Sequence, residues 1–556
     1  MNDKDIYARR TRRMEKKKFP FCVFLRVLRA NTPACFPDRM RDCVSSRIRV
    51  HLDVSVVNIS DKRLNEARGF LAAYNFSQAV AAYEKLSRQY PHKPELWFEY
   101  GCAAGGAGQL DLADRAWRKA LELEPQNAAL MLQIGHQYQN LRQPDKARAS
   151  FEQAAAADPR GINPRMALAL LLEQNHRFAE AREAIESCLK IDPRDDQARY
   201  FAAVLDRREN KIEDAERRLR DLIASGPIHQ YVQYAARYEL AEVLNRTDRF
   251  DEAMQTLAEA KKLVRALGDT DAMLKEYNQM AEMYRRSTQA LPANILRAWS
   301  REFPERQREA IPKLAFLGGH PRSGTTLLEQ ILGAHPDVAA LDEPSAFTMI
   351  VAPLFHASPQ LPPARLNVIR RRYIEAIHRE LGGAAEGKLI LDKNPSPTAK
   401  LRVWLRVFPE LRVIIALRDP RDVVISCYFQ NIPLNPFNAN FLTLERAARH
   451  YANLMDVWLA VRQWEGLAWI ETRYEDIVAD LEKEGRRVTE FLGLGWHQAQ
   501  AQFHEKSSKK QMYSPTYHDA SQPVYARSVA RWHAYEKHLA AVLPILEPYC
   551  RALGYA

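Results

Sequence analysis

Prolines recur at positions 91, 125, 159, 193 and 227, each 34 residues after the last. A period of that size is the mark of a stacked repeat, and it restricts what the first half of the chain can become. Residues 94–127 carry Trp97, Gly101, Ala113, Trp117, Ala120 and Pro125. Residues 128–161 carry Gly135, Tyr138, Ala147, Phe151, Ala154 and Pro159, several of them at the same offsets. A small residue set against a bulky one in each unit predicts two helices that cross closely. The proline then marks the end of the second helix, whose interior it cannot enter. One such hairpin cannot bury its apolar face. Stacked on its neighbours it can, and the stack leaves a concave groove.

These offsets resemble the tetratricopeptide repeat. About six units are expected over residues 60–267, with 60–93, 162–195 and 196–229 fitting more loosely. The sixth, near 234–267, keeps Ala241 and Ala253 but is displaced by four residues and lacks the proline. The groove is expected to take a protein or peptide partner; the plainer alternative is that it only packs against the second half. Residues 268–310 read as a helical connector, broken at Pro292 and Pro304.

The formal charge of +12 suggests nucleic acid at first, but its distribution argues otherwise. Residues 1–59 hold 14 Lys and Arg against 6 Asp and Glu, so most of the excess sits in that arm. The arm reads as a disordered basic leader, and no nucleic-acid partner is expected of the rest. Its run "FPFCVFLRVL" is interrupted by Arg26 and is not read as a signal peptide. No apolar stretch reaches the length of a membrane helix, about 18 residues. Three of the seven cysteines lie in the arm and the others form no C-x-x-C pair. That usage fits a reducing compartment, so a cytoplasmic location is expected.

From residue 313 the pattern changes. "KLAFLGG", "KLILDK", "RVIIALR" and "LAWIETR" are short apolar runs, each followed by a helical pattern. Alternation of this kind predicts parallel strands covered by helices. The expected organisation is therefore a helical solenoid followed by a P-loop-type α/β domain with a central parallel sheet, over residues 311–556. The first of these strands runs into "GGHPRSGTTL". Gly319 to Thr326 fits the phosphate-loop pattern G-x-x-x-x-G-K-[ST], except that Thr325 stands in place of the lysine. Glycines let such a loop turn its N–H groups onto an anion, and the helix start favours negative charge. Arg322, Ser323, Gly324, Thr325 and Thr326 are the candidate ligands. The missing lysine weakens the case for a nucleoside triphosphate, whose β- and γ-phosphates it would reach. A second cluster, "ALRDPRDVVISCYF", places Arg418 at a strand end and Ser426 eight residues on. The two could converge on another phosphate. Equally, Arg418 and Arg421 could pair with Asp419 and Asp422 to start a helix.

Together, "HPRSGTTL" and "RDPRDVVIS" resemble the sulfotransferase family, which takes sulfate from 3′-phosphoadenosine-5′-phosphosulfate without a metal. "RYEDIVAD" followed by "FLGL", and "RSVARWHAYEKHL", are similar to further stretches of it. Within the family the nearest similarity is to tyrosylprotein sulfotransferases and to proteins joining tetratricopeptide repeats to this domain. The resemblance implies that the loop holds the 5′-phosphosulfate and that Arg418 and Ser426 hold the 3′-phosphate, with Arg531 near by. It places Tyr474 by the adenine, Lys393 by the bridging oxygen, and Glu343 as the base for an acceptor hydroxyl, protein tyrosine among the candidates. Here Asp342 precedes Glu343, either raising its pKa or pointing to solvent. His320 is a rival base. Ser514 and Thr516 are weak candidates, because "DAS" at 519–521 departs from the family pattern. An inactive scaffold is the alternative function, and a kinase a weaker one. The two halves are expected to fold separately, with donor binding confined to the second.

Overall fold

The computed structural model describes residues 62–556 apart from 74, 227, 305–311, 357–359, 508–523 and 525. The basic arm, Ser514 and Thr516 therefore lie outside the described residues.

Six helical hairpins come first. They pair α1 (Lys62–Ala72) with α2 (Phe76–Gln89), α3 (Pro94–Gly106) with α4 (Leu110–Leu123), and α5 (Ala128–Asn140) with α6 (Pro144–Ala157). The next three pair α7 (Ile162–Gln174) with α8 (Phe178–Ile191), α9 (Asp196–Arg208) with α10 (Ile212–Ala224), and α11 (Gln230–Arg246) with α12 (Phe250–Arg265). A Cβ at Gly101 would collide with the Trp117 indole, and one at Gly135 with the Phe151 ring. The small-against-bulky pairing is thus the helix crossing itself. The turn inside each of the second to sixth hairpins places one residue in the left-handed region: Gly108, Arg142, His176, Asn210 and Asp248. Those positions also step by 34 residues until the last, which is four late. The sixth hairpin starts on pace at residue 230 rather than near 234, and α11 has 17 residues where α9 has 13. One added helical turn accounts for the displacement.

Two further helices, α13 (Thr270–Gln289) and α14 (Ile295–Arg301), lead to a five-stranded sheet. Its strands are β1 (Leu314–Gly319), β2 (Val338–Asp342), β3 (Leu389–Lys393), β4 (Arg412–Leu417) and β5 (Trp469–Arg473), in spatial order β2-β3-β1-β4-β5. Every pair is parallel, as the apolar runs predict. On one sheet face Leu317, Leu391 and Ile414 meet Leu328, Ile331, Val488 and Leu492. On the other, Phe316, Ile390 and Ile415 join a much larger core.

That larger core crosses the boundary between the halves. Leu219, Val243, Leu257 and Trp299 belong to the same apolar cluster as Phe316, Trp404, Val424, Trp458 and Tyr535. Each fully buried Leu or Val contributes about 1.5–3 kcal/mol relative to exposure. Polar contacts reinforce the junction. The Tyr535 hydroxyl donates to Asn245 Oδ1 at 2.7 Å, Lys537 Nζ lies 2.6 Å from Asp251, and Arg142 pairs with Glu380 at 3.0 Å. The last hairpins and the sheet thus share a common interior, which argues against the expectation that the halves fold separately. No helix among the described residues is long and apolar enough to cross a membrane.

Candidate active site

β1 ends at Gly319, and the chain turns through 320–324 into α15 (Thr325–Gly333). Three loop residues sit at positive φ: Gly319 at 128°, Arg322 at 76° and Gly324 at 86°. At the two glycines the backbone has no room for a side chain. A Cβ at Gly319 would strike the carbonyl of Ala416, and one at Gly324 would lie 2.9 Å from the Tyr474 ring. Thr398 Oγ1 accepts from the Gly319 N–H at 2.9 Å, which pins the start of the loop. The loop therefore delivers Arg322, Thr325 and Thr326 to the wall of one large cavity, about 1700 Å³ in volume. Ser323 is buried.

Helix α16 (Pro363–Leu381) precedes β3, α17 (Leu401–Val407) lies between β3 and β4, and α18 (Pro420–Tyr428) follows β4. Asp419 caps α18, accepting from the Arg421 N–H at 2.9 Å, and its carboxylate pairs with the Arg421 guanidinium at 2.6 Å. Arg418 lies 3.8 Å from Asp422 and donates to the Ser528 and Arg322 carbonyls, the latter at 3.3 Å. The helix-start network is real, and it does not remove Arg418 from the site. Arg418 and Ser426 both line the cavity. Ser426 Oγ accepts from Arg322 Nε at 2.9 Å, so the two motifs, 104 residues apart, meet directly. Arg531 lines the same wall, its guanidinium over the Phe429 ring at 4.2 Å. Arg418 Nε and Arg531 Nε and Nη2 are buried with no hydrogen-bond partner among the described residues. Buried guanidinium donors without partners are costly unless an anion meets them. The residues present thus fit a ligand carrying separate anionic groups. Tyr474 packs on the Gly324 turn and under the Arg418 guanidinium, 5.1 Å from its ring centre.

Glu343 follows β2 directly, with φ 52°. Its N–H donates to the Lys393 carbonyl at 2.8 Å, and its side chain is 44% exposed on the cavity. Asp342 does not point to solvent: it is buried and ion-paired to Lys393. Lys393 is fully buried, with Nζ 3.2 Å from Glu343 Oε1. Burial opposes its charge, but Asp342 and Glu343 outweigh that and hold the ammonium above the usual lysine range. The resemblance sets Lys393 at a bridging oxygen; the geometry first makes it the counter-ion that orients two acids. His320 is removed as a rival base. It is 1% exposed, sits 2.7 Å from His450 Nδ1, and burial pushes it down to about 4.

Residues that sequence reasoning missed also line the cavity. Lys400, seven residues after Lys393, sits over the Tyr284 ring at 5.6 Å, and burial lowers its pKa. Arg527 precedes Arg531 by one helical turn's spacing, a signal that was available. Arg142 was not: it donates to the Asp342 carbonyl at 3.1 Å from 200 residues away.

An α/β domain with a glycine-containing loop at the carboxyl edge of its sheet and a basic-walled cavity beside it is the class that this arrangement defines. Comparison narrows it. Residues 312–498 match the model of the sulfotransferase family. Residues 94–127, 132–196 and 200–269 match tetratricopeptide-repeat models. The chain joins tetratricopeptide repeats to a sulfotransferase-family domain. It is 26% identical over 344 residues to an uncharacterized protein of Aquifex aeolicus (strain VF5), covering 59% of this chain and 43% of that protein. It is 25% identical over 266 residues to protein-tyrosine sulfotransferase A of Caenorhabditis elegans, covering 43% of this chain and 66% of that one. Among solved structures, the sulfotransferase domain of the Synechococcus PCC 7002 olefin synthase aligns with a TM-score of 0.29 at 19% identity, covering 40% of this chain and 90% of that one.

Proposed function

We propose that the protein transfers a sulfuryl group from 3′-phosphoadenosine-5′-phosphosulfate to an acceptor hydroxyl, with protein tyrosine the favoured acceptor. What carries the reading is that Arg322, Arg418, Ser426 and the start of α15 share one cavity with an accessible carboxylate, Glu343. Arg322, Thr325 and Thr326 bind the 5′-phosphate, and donors placed there in advance stabilise charge as it develops. Arg418, Ser426 and Arg531 take the 3′-phosphate, and Tyr474 the adenine side. Glu343 accepts the acceptor's proton as the new O–S bond forms and the S–O bond to phosphate breaks. Lys393 orients that carboxylate. The names of the relatives, protein-tyrosine sulfotransferases among them, support the acceptor class.

The test is calorimetric and then chemical. 3′-Phosphoadenosine-5′-phosphate should bind without magnesium and raise Tm by mass action, with ATP and Mg²⁺ far weaker. Radiolabelled donor should then label tyrosine peptides. Equal binding of ATP and Mg²⁺ would overturn the donor assignment.

A further inference from the structure

We infer that the concave face of the repeats is the acceptor-binding half of this active site, and that the acceptor is an extended polypeptide. The inference rests on the sulfuryl-transfer reading above.

The cavity is the first reason. Small-molecule sites occupy about 300–1,000 Å³. This one reaches about 1700 Å³ and is lined both by Glu343 and by the inner helices of the repeats. A donor and a small phenol would leave much of it vacant. The second reason is the chemistry of the extra wall. Gln139 on α5, Gln174 on α7 and Asn245 on α11 line it beside Tyr200; Gln139 donates to Gln174 Oε1 at 3.2 Å and Asn245 Oδ1 accepts from Tyr535, so it is the amide N–H groups of Gln174 and Asn245 that face a ligand. A side-chain amide donates and accepts. That matches an extended peptide, which brings one N–H and one C=O per residue and lacks internal partners for them. The partly exposed Tyr200 ring suits a side chain between them.

Third, the groove and the base are physically joined. Arg142, in the turn after α5, donates to the Asp342 carbonyl, one residue from Glu343. Arg142 pairs on its other side with Glu380 of α16 at 3.0 Å. A chain lying along the inner helices therefore ends at the acid. From α5 to α13 there are four steps between inner helices, each about 8–10 Å. At about 3.3 Å per residue, an extended chain would span them with roughly 10–12 residues.

The experiment uses the full chain with 3′-phosphoadenosine-5′-phosphate bound. A displayed library of random 14-residue segments, each with a tyrosine near its N-terminal or its C-terminal end, is selected on the protein. An enriched peptide and the five residues around its tyrosine are then compared by fluorescence anisotropy, for the wild type and for a Gln174→Ala, Tyr200→Ala double variant. Transfer of labelled sulfate to the peptide and to 4-nitrophenol is measured beside them. The long peptide should bind the wild type at least about ten-fold tighter than the short one. The double variant should erase that difference while keeping nucleotide affinity and phenol sulfation. Failure to enrich any peptide, equal binding of the short form, or full binding by the double variant would overturn the groove assignment. If peptides bind through the groove but neither acceptor takes sulfate, the groove stands and the reaction falls. If the phenol is sulfated but neither binding nor sulfation of the peptide depends on the groove residues, the reaction stands and the groove falls.

Discussion

Glu343 and Arg418 line one cavity but should fail in different ways. Glu343→Gln keeps the shape and removes the proposed base, so nucleotide affinity should hardly move while single-turnover rates fall about 10²–10⁴-fold. Arg418→Ala should instead weaken nucleotide binding by about 2–5 kcal/mol, the cost of truncating one side of a buried charged contact. Arg421→Ala, whose guanidinium is engaged by Asp419, serves as its control and should leave affinity near wild type when measured by the same titration. These candidates were legible because each stands inside a short motif. Their partners were not. Nothing local announces that Arg322 meets Ser426, that Asp342 folds inward onto Lys393, or that Arg142 reaches Asp342, since such pairs exist only after the chain has packed. The same holds for Asp392, which is fully buried, accepts from the Tyr373 hydroxyl at 2.6 Å, and is pushed up to about 7 by burial. Its folded state keeps a proton that the unfolded chain releases near the ordinary carboxylate value, about 3.9. Folded protein thus binds more protons between those two values, and this contribution falls as pH rises through that window. Asp392→Asn cannot ionise. Its Tm relative to wild type should therefore climb from pH 5 to pH 8; a flat difference in melting scans would sink the assignment.

Single elements were read from period and composition, and their ends were the harder part. The strands were visible as apolar runs because both faces of a parallel sheet are covered. Proline marked the joins between hairpins, but no fixed residue marked the turns inside the second to sixth hairpins, whose left-handed position is Gly108, Arg142, His176, Asn210 or Asp248. The longer α11 looked like a shifted repeat, because an extra turn moves everything after it and leaves the start in place. The loop after β1 makes the sharpest demand on one element. Gly319→Ala must fit a methyl against the Ala416 carbonyl at a φ that side chains rarely adopt. Such backbone strain costs about 1–3 kcal/mol before the collision is counted. Tm should drop by several degrees and nucleotide affinity should fall with it. Gly387→Ala is the comparison: φ is 71° there, but nothing lies within 4 Å, so the change should be smaller and affinity unaffected. Similar losses in both variants, by scanning calorimetry, would argue against a tight loop.

For the whole molecule, sequence periodicity delimited two kinds of structure and could not reveal that they share an interior. Repeats ordinarily contact only their neighbours, which is why separation was the natural expectation. Here Val243 and Leu257 are fully buried in the cluster that also holds Phe316 and Trp404. A fragment of residues 268–556 should consequently expose that surface, elute as aggregates and lack a cooperative melt. A fragment of residues 196–556, which keeps α9 to α12, should elute as a defined species and bind 3′-phosphoadenosine-5′-phosphate. Size-exclusion chromatography with calorimetry decides between them; a monomeric, nucleotide-binding 268–556 would refute the common interior. The shared core also changes how a genetic screen would look. Selection for the proposed sulfated product, blind to protein abundance, would return Val243→Asp and Leu257→Asp beside Glu343→Gln. Its map would paint catalytic importance onto core positions of the last hairpins, whose part is only to hold up the shared interior.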